Sequence, residues 1–330
     1  MKANKFLFAA IAIVAVLFSL SCYKQYRIAF IRSNEIFVMD ADGSNVTQLT
    51  NNTSDDRNPA WSPDGGRIAF ESKRDGDGEI FVTDADGSNQ TQLTDNDYGD
   101  HCPAWNPDGS RIAFISNRDG KRNIFVMDAD GRNQTRLTDN ARDSWSPSWS
   151  PDGRRIAFVT WREGGDEIFV MDADGRNQTQ LTFNSREDWY PSWSPDGSRI
   201  AFQSECVGGS GCVIFVMDAD GGNQTQLTDN GSFDLYPVWS PDARRIAFYS
   251  QRVGDVGGWD IFVMDADGGN QTPLTSTKSR YPAPDWSPDS SRIAFIRNYA
   301  IFVMDADGSN QTQLTDTDDW DSSPTWGPVE

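Results

Sequence analysis

Histidine is almost missing from this chain: His101 is the only one in 330 residues. That excludes a histidine-rich metal site and a pair of catalytic imidazoles, and a lone loop histidine is usually just solvated. Basic side chains are scarce as well, 29 Lys and Arg against 49 Asp and Glu, for a formal charge of −20. A phosphate-binding surface needs a basic patch, so nucleic acid is not an expected partner. No Gly-x-Ser-x-Gly nucleophile elbow and no phosphate-cradling glycine loop occurs; Gly208-Gly209-Ser210-Gly211 belongs to a flexible loop between cysteines. Beyond residue 22 no stretch keeps apolar residues at helical spacing, so almost no helix is expected. The single long uncharged run, Phe6 to Leu20, is fifteen residues, fewer than the about 20 that a membrane span needs.

That run follows Lys2 and Lys5 and precedes the small Ser21, the pattern of an export signal over residues 1–22. Ser19-Leu20-Ser21-Cys22 resembles a bacterial lipobox with its two flanking positions interchanged, which implies lipidation of Cys22. Plain secretion and an uncleaved anchor are the other readings. The protein is therefore expected in the cell envelope or periplasm, or secreted, touching a membrane only through its amino terminus. Of the remaining cysteines, Cys206 and Cys212 flank Val-Gly-Gly-Ser-Gly and are expected to close a disulfide across a hairpin in an oxidising compartment. Cys102 has no evident partner and reads as a small buried residue.

What is abundant is repetition. Arg-Ile-Ala-Phe begins at Arg27, Arg67, Arg111, Arg155, Arg199, Arg245 and Arg292. Ile-Phe-Val-Met-Asp-Ala-Asp-Gly begins at Ile36, Ile80, Ile124, Ile168, Ile214, Ile261 and Ile301, with Thr83 its sole departure. A Trp-Ser-Pro-Asp-Gly step begins at Trp61, Trp105, Trp149, Trp193, Trp239 and Trp286, with a degenerate copy at Trp326. Seven units of about 44 residues account for residues 23–330 and leave no room for a second domain. Each unit holds four strand signals: A, ending in Pro-x-Trp; B, Ile-Ala-Phe; C, Ile-Phe-Val-Met; and D, Thr-x-Leu-Thr. Pro-Asp-Gly and Asp-Ala-Asp-Gly supply the turns. Both parities of B and C are apolar, as when a sheet is covered on both faces. The prediction is an all-β, seven-bladed β-propeller of four-stranded antiparallel blades. The first unit lacks a strand A and the last ends on one, so a 3+1 clasp of amino- and carboxyl-terminal strands is expected to close the ring.

These residues closely resemble the TolB-like, WD-like propeller repeat family, over essentially everything after the signal. The resemblance implies the propeller fold and a general binding role. The periplasmic members that bind other envelope proteins have six blades and a preceding α/β domain; here there is a seventh blade and no such domain, so a Tol–Pal role does not carry over.

The A–B and C–D turns share one rim, where the copies are nearly identical. Asp40, Asp42, Gly43, Asn45 and Thr47 recur in every unit. Asp-x-Asp-Gly-x-Asn either binds calcium or satisfies the turn's own backbone; sevenfold identity and the missing closing Glu favour the turn, and no cofactor is expected. The seven strand-B arginines lie on this rim and are expected to partner its carboxylates. The opposite face, of D–A and B–C loops, varies, which is where specificity would be written. It carries Tyr98, His101, Trp145, Trp189, Tyr190, Phe233, Tyr236, Tyr281 and Trp320. Asp56, Asp100, Asp188, Asp234 and Asp321 stand three residues before the strand-A proline. They either line the central opening for a cation or basic peptide, or cap their own loops. The expectation is a non-catalytic extracytoplasmic module holding a protein or peptide on this face. The alternative is a carbohydrate-binding or carbohydrate-active propeller using the same Trp, Tyr and Asp residues.

Overall fold

The computed structural model describes residues 26–139, 142–162, 164–205, 211–252, 258–276, 283–316 and 319–328. The export signal with Cys22, and also Cys206 and Tyr281, lie outside the described residues. Among the described residues there are 28 strands and no helix, arranged as seven four-stranded antiparallel sheets. Blade 2 shows the plan: A is Asp56–Trp61, B Arg67–Ser72, C Glu79–Asp84 and D Thr91–Gln92. Blades 3 to 7 repeat it around the B strands Arg111–Ser116, Arg155–Arg162, Arg199–Glu205, Arg245–Ser250 and Arg292–Arg297. Blade 1 takes its strand A from Asp321–Gly327, which pairs antiparallel with Arg27–Arg32 and sets Trp326 opposite Ile28. The 3+1 clasp is thus present. Strand D is only two residues long in every blade and, among the strands, contacts only its own strand C, so the outer wall is thin. The A strands touch one another around the ring and line its opening.

Period-two alternation builds the core between blades. Ile112 and Phe114 of blade 3 pack with Ala69, Ile80 and Val82 of blade 2. Their neighbours Ala113 and Ile115 pack instead with Ile156 and Phe158 of blade 4. Each sheet thus buries both faces, and the strand-B phenylalanines, Phe30 to Phe295, are at most 1% exposed. Truncating one to Ala would cost about 3–5 kcal/mol.

Polar bonds tie each blade to the next. The indole Nε1 of Trp105 donates to Ala60 O at 3.0 Å, and Trp61, Trp149, Trp193, Trp239 and Trp286 do likewise to the preceding strand A. Gln90, Gln134, Gln178, Gln224, Gln271 and Gln311 each donate to a leucine carbonyl of the preceding blade. The strand-B arginines do not pair with the turn carboxylates, as the sequence suggested. Each guanidinium lies over the next blade's strand-A indole, 4.7–5.2 Å from the ring centroid, and donates to that blade's turn alanine. Arginine is suited to this because its planar cation stacks while its edge still donates.

One junction differs. Between blades 7 and 1, Trp326 Nε1 is buried without a partner, and Val46 stands where the other blades have the bridging Gln. Asp285 compensates: its Oδ2 accepts the Trp326 N–H at 2.8 Å, and burial pushes its carboxyl up to about 6.

Candidate functional site

On the rim of A–B and C–D turns the polar groups are occupied internally. Asp40 accepts from Asn45 Nδ2 at 2.7 Å, and Asp42 accepts the Ser44 N–H at 2.9 Å and its hydroxyl at 2.6 Å. Those bonds hold the Asp42, Asp86 and Asp307 carboxyls below the ordinary range. Among the described residues no group of three or more His, Cys, Asp or Glu is arranged around a metal position.

The loop-face aspartates are removed from the opening too. Asp56, Asp100, Asp188, Asp234 and Asp321 are at most 1% exposed. Asn52, Asn96, Asn184 and Asn230 donate to the first four across four residues of the same loop. Arginines complete most of them: Arg118 with Asp100 at 2.6 Å, Arg252 with Asp234 at 2.6 Å, Arg74 with Asp56 at 3.5 Å, and Arg32 with Asp321 at 2.8 Å. The four that meet an arginine are loop clamps rather than a lining of the central opening, while Asp188 keeps the loop bond to Asn184 without an arginine.

What does reach the opening comes from a bulge. In six blades the A–B register slips just after the aspartate, or after Ser144 in blade 4, and two residues past that position the backbone turns left-handed. The residues there are Asn58, Cys102, Ser146, Tyr190, Tyr236 and Ser323, with φ between 50° and 54°; in blade 7 it is Ala283, at 42°. None is glycine, so each except Asn58, whose side chain tolerates this region, stores about 1–2 kcal/mol of strain that the blade must hold. The bulge re-aims strand A before its proline and presents the residue at and before the turn to the ring's centre.

Two positions on strand A and the one after Phe on strand B, drawn unequally from blades 2 to 6 and joined by Arg122 of the blade 3 B–C loop, form a cavity of about 750 Å³. Trp145, Trp189, Tyr190, Tyr236, Ile115 and Leu235 give it an apolar wall, and Glu71, His101, Arg122, Gln203, Ser146 and Cys102 the polar remainder. Tyr190 and Tyr236 pack at 4.2 Å between centroids with their hydroxyls 3.1 Å apart. Trp189 Nε1 donates to Asp166 Oδ2 at 2.9 Å, which fixes the indole; burial holds the Asp166 carboxyl above its usual range. His101 Nδ1 lies 3.0 Å from Glu71 Oε1, and Asn58 donates to the other carboxylate oxygen at 3.1 Å. The imidazole needs Gly78 and Gly99 beside it: a Cβ on Gly99 would stand 2.4 Å from Nε2.

Of the aromatics singled out from sequence, the structure brings His101, Trp145, Trp189, Tyr190 and Tyr236 together here. Tyr98, Phe233 and Trp320 stand outside; Phe233 packs edge-on to Trp259, and Trp320, 69% exposed, stacks on Tyr299 at 4.8 Å. Cys102 is exposed to the cavity and not buried, and desolvation followed by the Glu71 charge pushes its thiol up to about 11, which keeps it protonated. Cys212 is buried. Sequence reasoning missed Glu71, Ile115 and Gln203, although theirs is the one position that varies within the Ile-Ala-Phe-x run.

Residues 94–208 and 188–330 match the TolB beta propeller domain family, and residues 17–123 the tricorn protease N-terminal beta propeller domain family. Among solved structures, a protein assigned to TolB from Agrobacterium tumefaciens is 25% identical, with a TM-score of 0.60 over 81% of this chain and 95% of that one. TolB from Acinetobacter baumannii is 21% identical, with a TM-score of 0.62 over 95% and 85%. An oligogalacturonate lyase from Vibrio parahaemolyticus is 13% identical, with a TM-score of 0.67 over 88% and 84%, a likeness of fold alone. No curated protein matches the chain.

Proposed function

The chain belongs to the TolB β-propeller domain family, and from that premise we propose that it is a non-catalytic, exported binding module whose cavity receives a segment of a protein partner. The observation that carries this reading is the lopsided cavity over blades 2 to 6, walled by Trp145, Trp189, Tyr190 and Tyr236. Aromatic walls held rigidly by their own hydrogen bonds lose little entropy on binding and serve as anchors. Glu71 and Arg122 set opposite charges at the blade 2–3 end, which suits a peptide with charges of both signs better than a neutral sugar. The protonated Cys102 thiol is a poor nucleophile, and the His101–Glu71 pair has a ligand-orienting role. The export-signal pattern of residues 1–22 supports a partner in the cell envelope or outside it.

Photo-crosslinkers at Trp189 and, as a rim control, at Gln178 in native envelopes test the face. A protein adduct from Trp189 but not Gln178, whose purified form binds at least tenfold more weakly to Trp145→Ala and Tyr190→Ala, is the expected result. Equal yields from both positions, or a glycan ligand that depends on Trp145 or Trp189 in place of a protein, would overturn it.

A further inference from the structure

In most blades an arginine two residues past the strand-B serine, or ending strand B, fills the same crevice beneath the D–A loop. Arg118 is representative: it lies over Phe114 and Phe125 at 5.6 and 4.7 Å, donates to Gln134 Oε1 at 2.7 Å and meets Asp100 at 2.6 Å. Arg252 makes the same contacts with Phe248, Phe262, Gln271 and Asp234. Arg74 does so with Phe70, Phe81, Gln90 and Asp56. Arg297 lies over Phe295 and Phe302 and reaches Gln311, and Arg32 lies over Phe30 and Phe37 and meets Asp321.

Blade 5 keeps every partner and loses the arginine. Its chain reads Ser204-Glu205-Cys206 where blades 2, 3 and 6 have Ser72-Lys73-Arg74, Ser116-Asn117-Arg118 and Ser250-Gln251-Arg252. Phe202 and Phe215 still stack at 5.5 Å, Asn184 still donates to Asp188 at 2.8 Å, and Gln224 still bridges to Leu181 O. Between them lies a cavity of about 250 Å³ lined by Asn184, Arg186, Phe202, Ser204, Phe215 and Gln224. Asp188 is fully buried, its Oδ1 has no hydrogen-bond partner, and among the described residues no arginine donates to it as Arg118 does to Asp100. Oδ1 is also unpartnered in Asp56 and Asp100, so the distinguishing loss in blade 5 is the guanidinium that Oδ2 receives elsewhere. Glu167, Glu187 and Asp166 lie close by; burial raises all three carboxyls, Glu167 to about 7. Among the described residues the nearby cation is Arg186, on the cavity wall with its guanidinium 5.7 Å from the Phe215 centroid; burial raises the Asp188 carboxyl, and the Arg186 charge offsets this in part without closing to an ion pair.

We propose that this crevice in blade 5 is a binding site for a guanidinium group supplied from outside the chain, as on an arginine side chain. The site presents what guanidinium needs: an aromatic floor, an amide acceptor and a buried carboxylate, in the arrangement that holds it in the sister blades. It is separate from the central cavity, with which it shares no lining residue, and stands or falls independently of the peptide reading.

Titrating the full chain with methylguanidinium by NMR and calorimetry tests it. One site is expected, with methylammonium at least tenfold weaker because it cannot stack or fork. Asp188→Asn should weaken methylguanidinium at least tenfold, and Arg186→Gln should leave it unchanged or tighten it. Agmatine and a capped arginine tripeptide then distinguish a small free ligand from a peptide arginine, by which binds more tightly. No binding by the wild type, equal affinity for methylammonium, or binding only in Arg186→Gln would overturn the proposal; the first two need no variant and hold even if Asp188→Asn does not fold.

Discussion

The two rims of this ring are built from the same repeat and behave as opposites. On the turn rim seven copies are almost the same, and the recurring Asp, Asn and strand-B Arg side chains are engaged by their own or the next blade. On the loop face, equivalent positions carry Asn58, Cys102, Ser146, Tyr190, Tyr236, Ala283 and Ser323, in a backbone conformation that all but Asn58 disfavour. Identity marks positions the fold needs to close, while divergence under retained strain marks positions freed for recognition.

The largest expected effect breaks the rim. Arg155→Ala removes the stack on Trp193 and strands the Ala219 carbonyl, and should cost about 2–4 kcal/mol in urea unfolding while the folded fraction binds its ligand normally. Next comes pH. Burial pushes the Glu79 and Glu167 carboxyls, both beneath the loop face, up to about 7, above their unfolded values. Their ionisation therefore opposes folding, and stability should fall as pH rises from about 4.5 to about 7, by at most about 3 kcal/mol per group, then level off. A thermal-midpoint profile that is flat across this window in the wild type, or unchanged by Glu79→Gln with Glu167→Gln, would count against it. Tyr190→Ala sharpens the contrast from the other side: ligand affinity should drop at least tenfold with less than about 1 kcal/mol of stability lost, since Tyr190 is 39% exposed. The smallest effect is a gain. Ser146→Gly relieves a left-handed φ of 52° and should stabilise the fold by up to about 1 kcal/mol, visible as a higher denaturation midpoint.

Fold and blade count were legible because seven copies average out local ambiguity, and the unmatched strand signals at Arg27 and Trp326 named the clasp. The loop aspartates were placed at the right loops, yet only coordinates show them buried, four of them beneath arginines at or just past the end of strand B. The turn-rim arginines were misassigned for the same reason: a guanidinium near carboxylates in sequence lay, in space, over the next blade's indole. The bulge left no trace, because a positive φ at Cys, Ser or Tyr has no residue signature. The crevice of blade 5 was half visible, as Cys206 in a series of arginines, but its meaning required the preserved floor of Phe202 and Phe215.

The pairing of Ile28 with Trp326 also governs the order of assembly. A chain delivered amino terminus first exposes the Arg27–Arg32 edge from the outset and cannot cover it until residues 321–327 emerge. Through nearly all of synthesis or translocation that strand is an open template for a neighbouring chain, and chaperone dependence should concentrate there. Fusing the Asp321–Gly327 segment ahead of residue 26 would let the first blade finish early and shorten that exposure.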